Sequence, residues 1–246
     1  MELVSGIVAH GLGLSLTAHK TLVLSDLHLG LEDSLRRGGV FVPRQHMKET
    51  LARIERLLVV FPSTKRVILN GDLKHEFGRI SEQEWREIKR LIDALRKKNL
   101  DVVIVKGNHD IFLQPIASER GLRVVDAFTV GDVLVTHGDK APTPAALKGI
   151  TTIIIGHEHP AIVLHEKAKA EKYKCFLVTR YKRKHLIVQP SFGPLTSGID
   201  VLRGELQSPL LSSTSRNALV GRTGRVFIVD EKTDDVLDFG LLRKLV

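Results

Sequence analysis

The sequence predicts an α/β fold, on two observations. Short β-rich runs alternate with loops and amphipathic helices through the first two thirds of the chain, and β-rich segments dominate after about Ile162. The 246 residues are enough to bury a substantial core, and no fixed-period repeat or low-complexity linker divides them. Hydrophobic residues make up 43% and charged residues 26%, which excludes disordered and collagen-like classes. One domain over residues 1–246 is therefore expected, with its motifs in 26–159 and a β-rich part over about 160–246.

Five early runs read as strands: Thr21–Ser25, Arg66–Leu69, Val102–Val105, Val133–Thr136 and Thr152–Ile155. Each is too short for a helix, rich in Val, Ile, Leu or Thr, and halted by a polar or glycine-containing turn. A helix is expected from Pro43 to Phe61–Pro62, with Met47, Leu51, Ile54, Leu57 and Leu58 at helical spacing. Ser81 with Glu84 three residues on forms a capping box that opens a second helix. Trp85, Ile88, Leu91, Ile92 and Leu95 make its apolar stripe, read as core-facing. Later strands are expected at Cys175–Thr179, Leu186–Gln189, Val226–Val229 and Val236–Phe239. The stretch Arg203–Arg225, rich in Ser, Gly and Arg without a period, reads as a long loop.

Lys and Arg number 37 against 28 Asp and Glu, a net charge of +9 with a pI near 9.7. That balance suits an anionic partner or a Lys/Arg-rich surface; it says nothing of fold. Residues 166–185 hold eight Lys/Arg against two Glu, directly after a histidine motif. They read either as a nucleic-acid track with Tyr173 and Tyr181 as stacking groups, or as a solvated hairpin with charged edges. Cys175 stands alone in an apolar run, so it reads as a small buried residue and makes an intrachain disulfide impossible. A cytoplasmic location is expected. No apolar stretch approaches a membrane span, and Leu3–Leu16 is broken by Ser5, His10 and three glycines, unlike a signal peptide.

The residues just past the five early strands carry the chemistry. The strands lead in turn into Asp26-Leu27-His28, Asn70-Gly71-Asp72-Leu73-Lys74-His75, Gly107-Asn108-His109-Asp110, His137-Gly138-Asp139 and Gly156-His157-Glu158-His159. In an open α/β sheet the carboxyl ends of the strands gather on one edge, where ligands bind. Carboxylate, amide oxygen and imidazole together suit Mn²⁺, Fe or Zn²⁺, and there are donors enough for two ions. Two ions ~3.5–4 Å apart can clamp the attacking and leaving oxygens of a phosphoryl displacement. His10, His19, His46, His165 and His185 have no ligand spacing and are read as solvated.

This ordered set of motifs resembles that of the calcineurin-like metallophosphoesterases. A finer resemblance, carried by Gly71–Phe77, His157-Glu158-His159-Pro160, Gln189-Pro190-Ser191-Phe192 and Gly198-Ile199-Asp200-Val201, is to the small archaeal phosphoesterases related to the SbcD nuclease and to bacterial DNA-ligase-associated phosphoesterases. The resemblance implies a four-layer sandwich, two mixed β-sheets flanked by helices. It implies that Asp26, His28 and His159 hold a first metal, that Asp72 bridges, and that Asn108, His137 and His157 hold a second. Two divalent ions are implied, Mn²⁺ first, with Fe, Zn²⁺ and Ni²⁺ as the other candidates. A metal-bridging hydroxide attacks phosphorus in that scheme, His109 protonates the leaving oxygen, Asp110 orients the imidazole, and His75 is a further site histidine.

The expected function is metal-dependent hydrolysis of a phosphodiester, with nucleic acid as a candidate substrate. The alternatives are a repair-associated nuclease acting on single-stranded or branched DNA, a phosphomonoesterase, and a non-catalytic scaffold on the same fold. The scaffold ranks last because His109 and every expected ligand are present.

Overall fold

In a computed structural model that describes residues 1–166, 169–203, 206–212 and 223–245, the chain forms two mixed β-sheets that share an apolar core. The first sheet runs in chain order: β1 (Glu2–Val4), β2 (Ile7–His10), β3 (Gly13–Leu16), β4 (Thr21–Ser25), β5 (Arg66–Asn70), β6 (Asp101–Val105) and β7 (Arg123–Val125). Strands β1–β4 are antiparallel neighbours, and β4–β7 are parallel. The second sheet holds β8 (Ala127–Val130), β9 (Val133–Thr136), β10 (Thr152–Ile155), β11 (Pro160–Glu166), β12 (Lys169–Tyr181), β13 (Lys184–Val188) and β14 (Ile199–Asp200), ordered β14-β11-β12-β13-β10-β9-β8. Strand β15 (Arg225–Asp230) pairs with β12, and β16 (Asp235–Leu241) pairs with β15. The five early strands and the four later ones all coincide with strands in these ranges. The N-terminal meander β1–β3, strand β11 and the first half of β12, before Cys175, are strands beyond those expected from the sequence.

Helix α1 (Leu31–Arg37) precedes α2 (His46–Val60); α3 (Glu82–Lys97), α4 (Gln114–Arg120) and the one-turn α5 (Pro209–Ser212) follow. Met47, Ile54 and Leu57 of α2 and Ile88, Leu91, Ile92 and Leu95 of α3 join the core of the first sheet. Burying each is worth about 1.5–3 kcal/mol, which seats α2 although the side chain of its own N-cap residue, Gln45, makes no capping bond. Pro43 lies outside this helix, contrary to expectation. The buried carboxylate of Glu32 accepts the Gln45 and His46 N–H groups at 2.6 and 2.7 Å and so fixes the start three residues later. The capping box at Ser81 forms as expected.

Period-two alternation divides the second sheet between two cores. Val135, Ile154, Phe176 and Ile187 face the first sheet, whereas Leu134, Ile153, Ile155, Cys175, Leu177 and Leu186 face away. The outer core is closed by Leu147, Ile150, Leu210, Leu211 and Leu242, from turns and short helical segments; no long helix covers it among the described residues. Cys175 is buried there, and burial pushes its thiol up, out of the reactive range.

A polar strut joins the sheets at their carboxyl ends. Buried Gln189, just past β13, donates to the Leu12 and Val23 carbonyls at 2.9 Å and accepts from Ser25 Oγ at 3.1 Å. Asn70 in turn donates to Ser25 Oγ at 3.1 Å. Ser191 Oγ donates to the Asp26 carbonyl at 2.7 Å, and the Phe192 N–H to that of Ser25 at 2.8 Å. The Lys174 ammonium, pushed down to about 8 by burial, donates to the Ser191 and Gly193 carbonyls at 2.9 and 2.6 Å.

The basic stretch 166–185 does not form one continuous track. Lys174 is internal, Lys169 pairs with Glu171, and residues 167–168 lie outside the described residues. Because β13 runs parallel to β10, the Tyr181–Lys184 turn sits at the opposite end of the sheet from the loop after β10. Five residues of strand, roughly 17 Å, separate them. Of the loop expected at 203–225, residues 204–205 and 213–222 lie outside the described residues.

His46 is buried rather than solvated, with Nε2–H directed at the Leu27 carbonyl at 3.0 Å and Nδ1 without a partner. Burial lowers its pKa from the ordinary 6.5. The folded state therefore takes up this proton at lower pH than the unfolded chain. The stability it contributes is present above 6.5 and is lost as pH falls from there through the depressed folded value. His46→Gln, which keeps a donor but cannot titrate, is expected to lose less stability than the parent between about pH 7 and about pH 5 in urea unfolding. An unchanged pH dependence would remove His46 from this role.

Candidate metal centre

The chain turns sharply where each parallel strand ends, and the turns carry the polar residues. Asp26, His28, Asp72, His157 and His159 all have left-handed backbones, with φ between 43° and 66°. Such φ is uncommon outside glycine and costs of order 1–3 kcal/mol per residue. The loops are laced together by backbone bonds that hold this strain: Asp26 N–H to the Gly71 carbonyl, His28 N–H to that of Asp72 at 2.9 Å, and Gly71 N–H to that of Val105 at 2.8 Å. A side chain on Gly107 would collide with the Asp72 carboxylate, and one on Gly156 with that of Asp26. These two glycines therefore serve close approach as well as turning.

The structure brings all seven expected ligands together. Donor atoms of Asp26, His28, Asp72 and His159 lie within 4.8 Å of one another. His28 Nε2 faces His159 Nε2 at 3.2 Å, and His159 Nε2 lies 3.4 Å from Asp26 Oδ1. On the other side of Asp72, His137 Nε2 is 2.9 Å from Asn108 Oδ1, 3.2 Å from His157 Nδ1 and 3.4 Å from Asp72 Oδ1. Asp72 thus belongs to both groups. The first group comes mainly from the ends of β4, β5 and β10, the second from those of β6, β9 and β10.

The electrostatics fit a cation pair. Asp26 and Asp72 are buried, and no Lys or Arg pairs with either among the described residues. Burial and the neighbouring Asp26 and Asp110 carboxylates push Asp72 up to about 9. His28 and His137 are held below their usual range, first by burial. Their imidazoles are therefore neutral at pH 7, the form that binds metal. His137 Nδ1 is buried without a hydrogen-bond partner, 3.6 Å from Asp26 Oδ1.

His109 and His75 stand at the rim. His109 N–H donates to Asp72 Oδ1 at 3.0 Å, its Nδ1 meets the His75 carbonyl, and its Nε2 lies 3.6 Å from Asp72 Oδ2. Burial lowers its pKa to about 4. The His75 ring stacks on that of His109, centroids 5.9 Å apart, and lies 5.5 Å from that of His28. Asp110 does not orient His109, contrary to expectation. Its buried carboxylate is taken up by the N–H groups of Gly107 and Leu73 at 3.0 Å and of Lys74 at 3.4 Å, so it buckles two loops together.

Three further residues take parts at the site that the sequence does not announce. Glu84, which reads only as a helix cap, also accepts the His75 and Glu76 N–H groups at 3.0 and 2.7 Å, which fixes the loop that supplies the His109 partner. Its full burial is a tertiary fact without a local signal. Phe77 places its ring 3.5 Å from the His109 imidazole and is 59% exposed. Glu158 accepts the Ser208 N–H and ties the segment before α5 to the site loop.

The sequence matches the profile of the calcineurin-like phosphoesterases over residues 19–176, more than half of the chain and every motif from Asp26 to His159. Among solved structures, nuclease MPE from Pseudomonas putida is similar at TM-score 0.63 and 19% identity, covering 95% of this chain and 98% of that one. YfcE, a phosphoesterase from E. coli, gives TM-score 0.43 and 13% identity over 90% of this chain and 98% of its own. No curated protein sequence matches the chain.

Proposed function

The chain belongs to the calcineurin-like phosphoesterases, hydrolases of phosphoester bonds that use divalent metals, and from that premise we propose a dinuclear phosphodiesterase with Mn²⁺ as its first-choice metal. The observation that carries this reading is the sharing of Asp72 by two donor groups, Asp26/His28/His159 and Asn108/His137/His157. Neutral imidazoles and buried carboxylates lacking a protein counter-ion suit two divalent cations. When bound, the cations supply Lewis acidity and a water of lowered pKa.

The chain's own groups do the rest. Asp72 holds both halves at one distance and fixes the His109 backbone through its N–H. The His75 carbonyl accepts from the Nδ1–H of His109 and leaves Nε2 facing the site, where the ring would deliver a proton to the leaving oxygen as the imidazolium, the form that a bound phosphoester anion favours over the lowered pKa of the free site. Phe77 covers the outer face of that imidazole and restricts water there. A diester is preferred over a monoester because the chain is strongly basic and suits a polyanion. The similar Pseudomonas putida protein is a nuclease, which accords with that preference. No helix among the described residues is long and apolar enough to cross a membrane.

The first test is a rate comparison on metal-stripped protein reloaded with Mn²⁺, using a bis-aryl phosphodiester and the matching aryl monoester. Faster diester hydrolysis is expected; a monoester preference replaces this reading with a phosphatase. Asp72→Asn is expected to bind fewer than two Mn²⁺ per chain in equilibrium dialysis and to lose activity, because the shared charge is gone. His109→Ala is expected to keep its metal, to lose ~10²–10⁴-fold on a diester with an alkoxide leaving group, and to change little with an aryl one. Equal losses on both would show that His109 is not the proton donor.

A further inference from the structure

Several of the chain's cations gather in one band. Beside the site, Glu76 pairs with Arg37 and lies 4.0 Å from Arg79; both arginines line a groove of about 370 Å³ together with Arg44 and Arg86. Arg86 also lines the next cleft, of about 530 Å³, whose walls include Trp85, Lys89, Arg90 and Lys97 on α3. The two depressions therefore meet at Arg86. Residues 86, 90 and 97 share one face of α3, and from Arg86 to Lys97 the helix rises about 16 Å away from its N-terminus beside the site.

The charge on this band is available to a partner. Arg44, Arg86 and Arg90 are exposed and have no ion pair among the described residues. Of the acids that line the two depressions, Asp33 is held by Arg37 at 3.0 Å and Asp93 by Arg120 at 3.1 Å, leaving Glu82. Two aromatic rings flank the band: Phe77, largely exposed against His109, and Trp85, which packs against the core as expected and leaves its partly exposed remainder in the cleft wall, with the Lys89 ammonium 6.0 Å from its centroid. Cations for a backbone alternating with rings for bases is the recognition chemistry of a single nucleic-acid strand. A duplex, with its bases stacked inside, has no use for the rings.

We propose that this band is a binding track for single-stranded nucleic acid, running from Phe77 at the metal centre over Arg86 to Trp85 and Arg90 on α3. The proposal rests on the phosphodiesterase reading for its direction, because it delivers a phosphodiester strand to His109. It assigns the partner to α3 rather than to the Tyr181–Lys184 turn, which lies at the far end of the second sheet.

The test uses the chain's single tryptophan, Trp85, as the reporter. A dT oligonucleotide is titrated into the full chain in chelator, so that the strand is not cut, and fluorescence and salt dependence are followed. Expected are quenching of Trp85 and, for Arg86→Glu/Arg90→Glu, affinity at least tenfold weaker with a log–log salt slope smaller by about 1.4, two lost phosphate contacts at ~0.7 each. Phe77→Ala is expected to weaken binding roughly 5- to 150-fold, the range of one lost stack. Lys182→Glu/Arg183→Glu makes the same change in net charge at the far end and is expected to leave affinity within about twofold. Absent binding, binding without quenching, or equal weakening by the two charge-reversal variants would each overturn the track. Hydrolysis of the small bis-aryl diester by the parent protein tests the underlying reading separately, since that substrate is too short to reach α3.

Discussion

Two carboxylates, Asp26 and Asp72, are buried at the junction of two sheets with no Lys or Arg within ion-pair distance among the described residues, and much of the architecture answers to that constraint. Ionising either one here would carry an effective desolvation penalty of several kcal/mol with no compensation from side-chain cations among the described residues, which is why Asp72 is pushed up. Backbone N–H groups partly offset it: those of His157 on Asp26 and of His109 on Asp72. The left-handed turns at Asp26, His28, Asp72, His157 and His159 aim donors inward at a further cost. A fold that retains both penalties on the same few residues is arranged for a positive guest. The same burial that raises Asp72 keeps the histidines neutral, so both kinds of donor are shaped for one kind of ligand.

Because the donors come from both sheets, the site exists only while the sheets are docked. The shared apolar core supplies most of that docking, but apolar packing is tolerant of small slides and cannot alone fix donors to a fraction of an ångström. The polar strut supplies the register. Gln189 reaches β4 and the residue before β3, Ser191 holds the Asp26 carbonyl, and Lys174 braces the Ser191 and Gly193 carbonyls from below. Glu84 does the equivalent for the rim, linking the start of α3 to the loop whose carbonyl meets His109.

The fold class and the residues that converge at the candidate site are legible because both are written locally. A run of Val, Ile and Leu halted by Asp, Asn or His marks the end of a parallel strand, and five such ends in order point to a shared site, although three of them stand on the first sheet and two on the second. The features that the sequence hides depend on partners distant in the chain. Asp110 follows His109 directly, yet its carboxylate is captured by backbone groups of another loop. His46 has no ligand spacing, but Glu32 and Leu27 draw it inside. Pro43 suits a helix start that Glu32 moves onward. The strands β1–β3 are short and separated by glycine turns, which hides their alternation from any window of useful length.

The basic residues show the limit of linear reading most plainly. Along the chain, 166–185 is the dense cluster, and proximity to His157 and His159 suggests a function for it. In space that cluster is dispersed: strand alternation sends Lys174 into the interior, an ion pair occupies Lys169, and the parallel pairing of β13 with β10 carries residues 182–184 away from the chemistry. Helix α3 does the reverse, because a 3.6-residue period gathers cations three and four positions apart onto one face. Arg86, Lys89, Arg90 and Lys97 are interleaved in sequence with Glu87, Asp93 and the apolar stripe and become neighbours on the surface, on the one long helix whose capped end is tied to the His75 loop. Where a charge lands therefore depends on the periodicity of its element and on the direction of the strand beside it, and net charge becomes informative only once both are known.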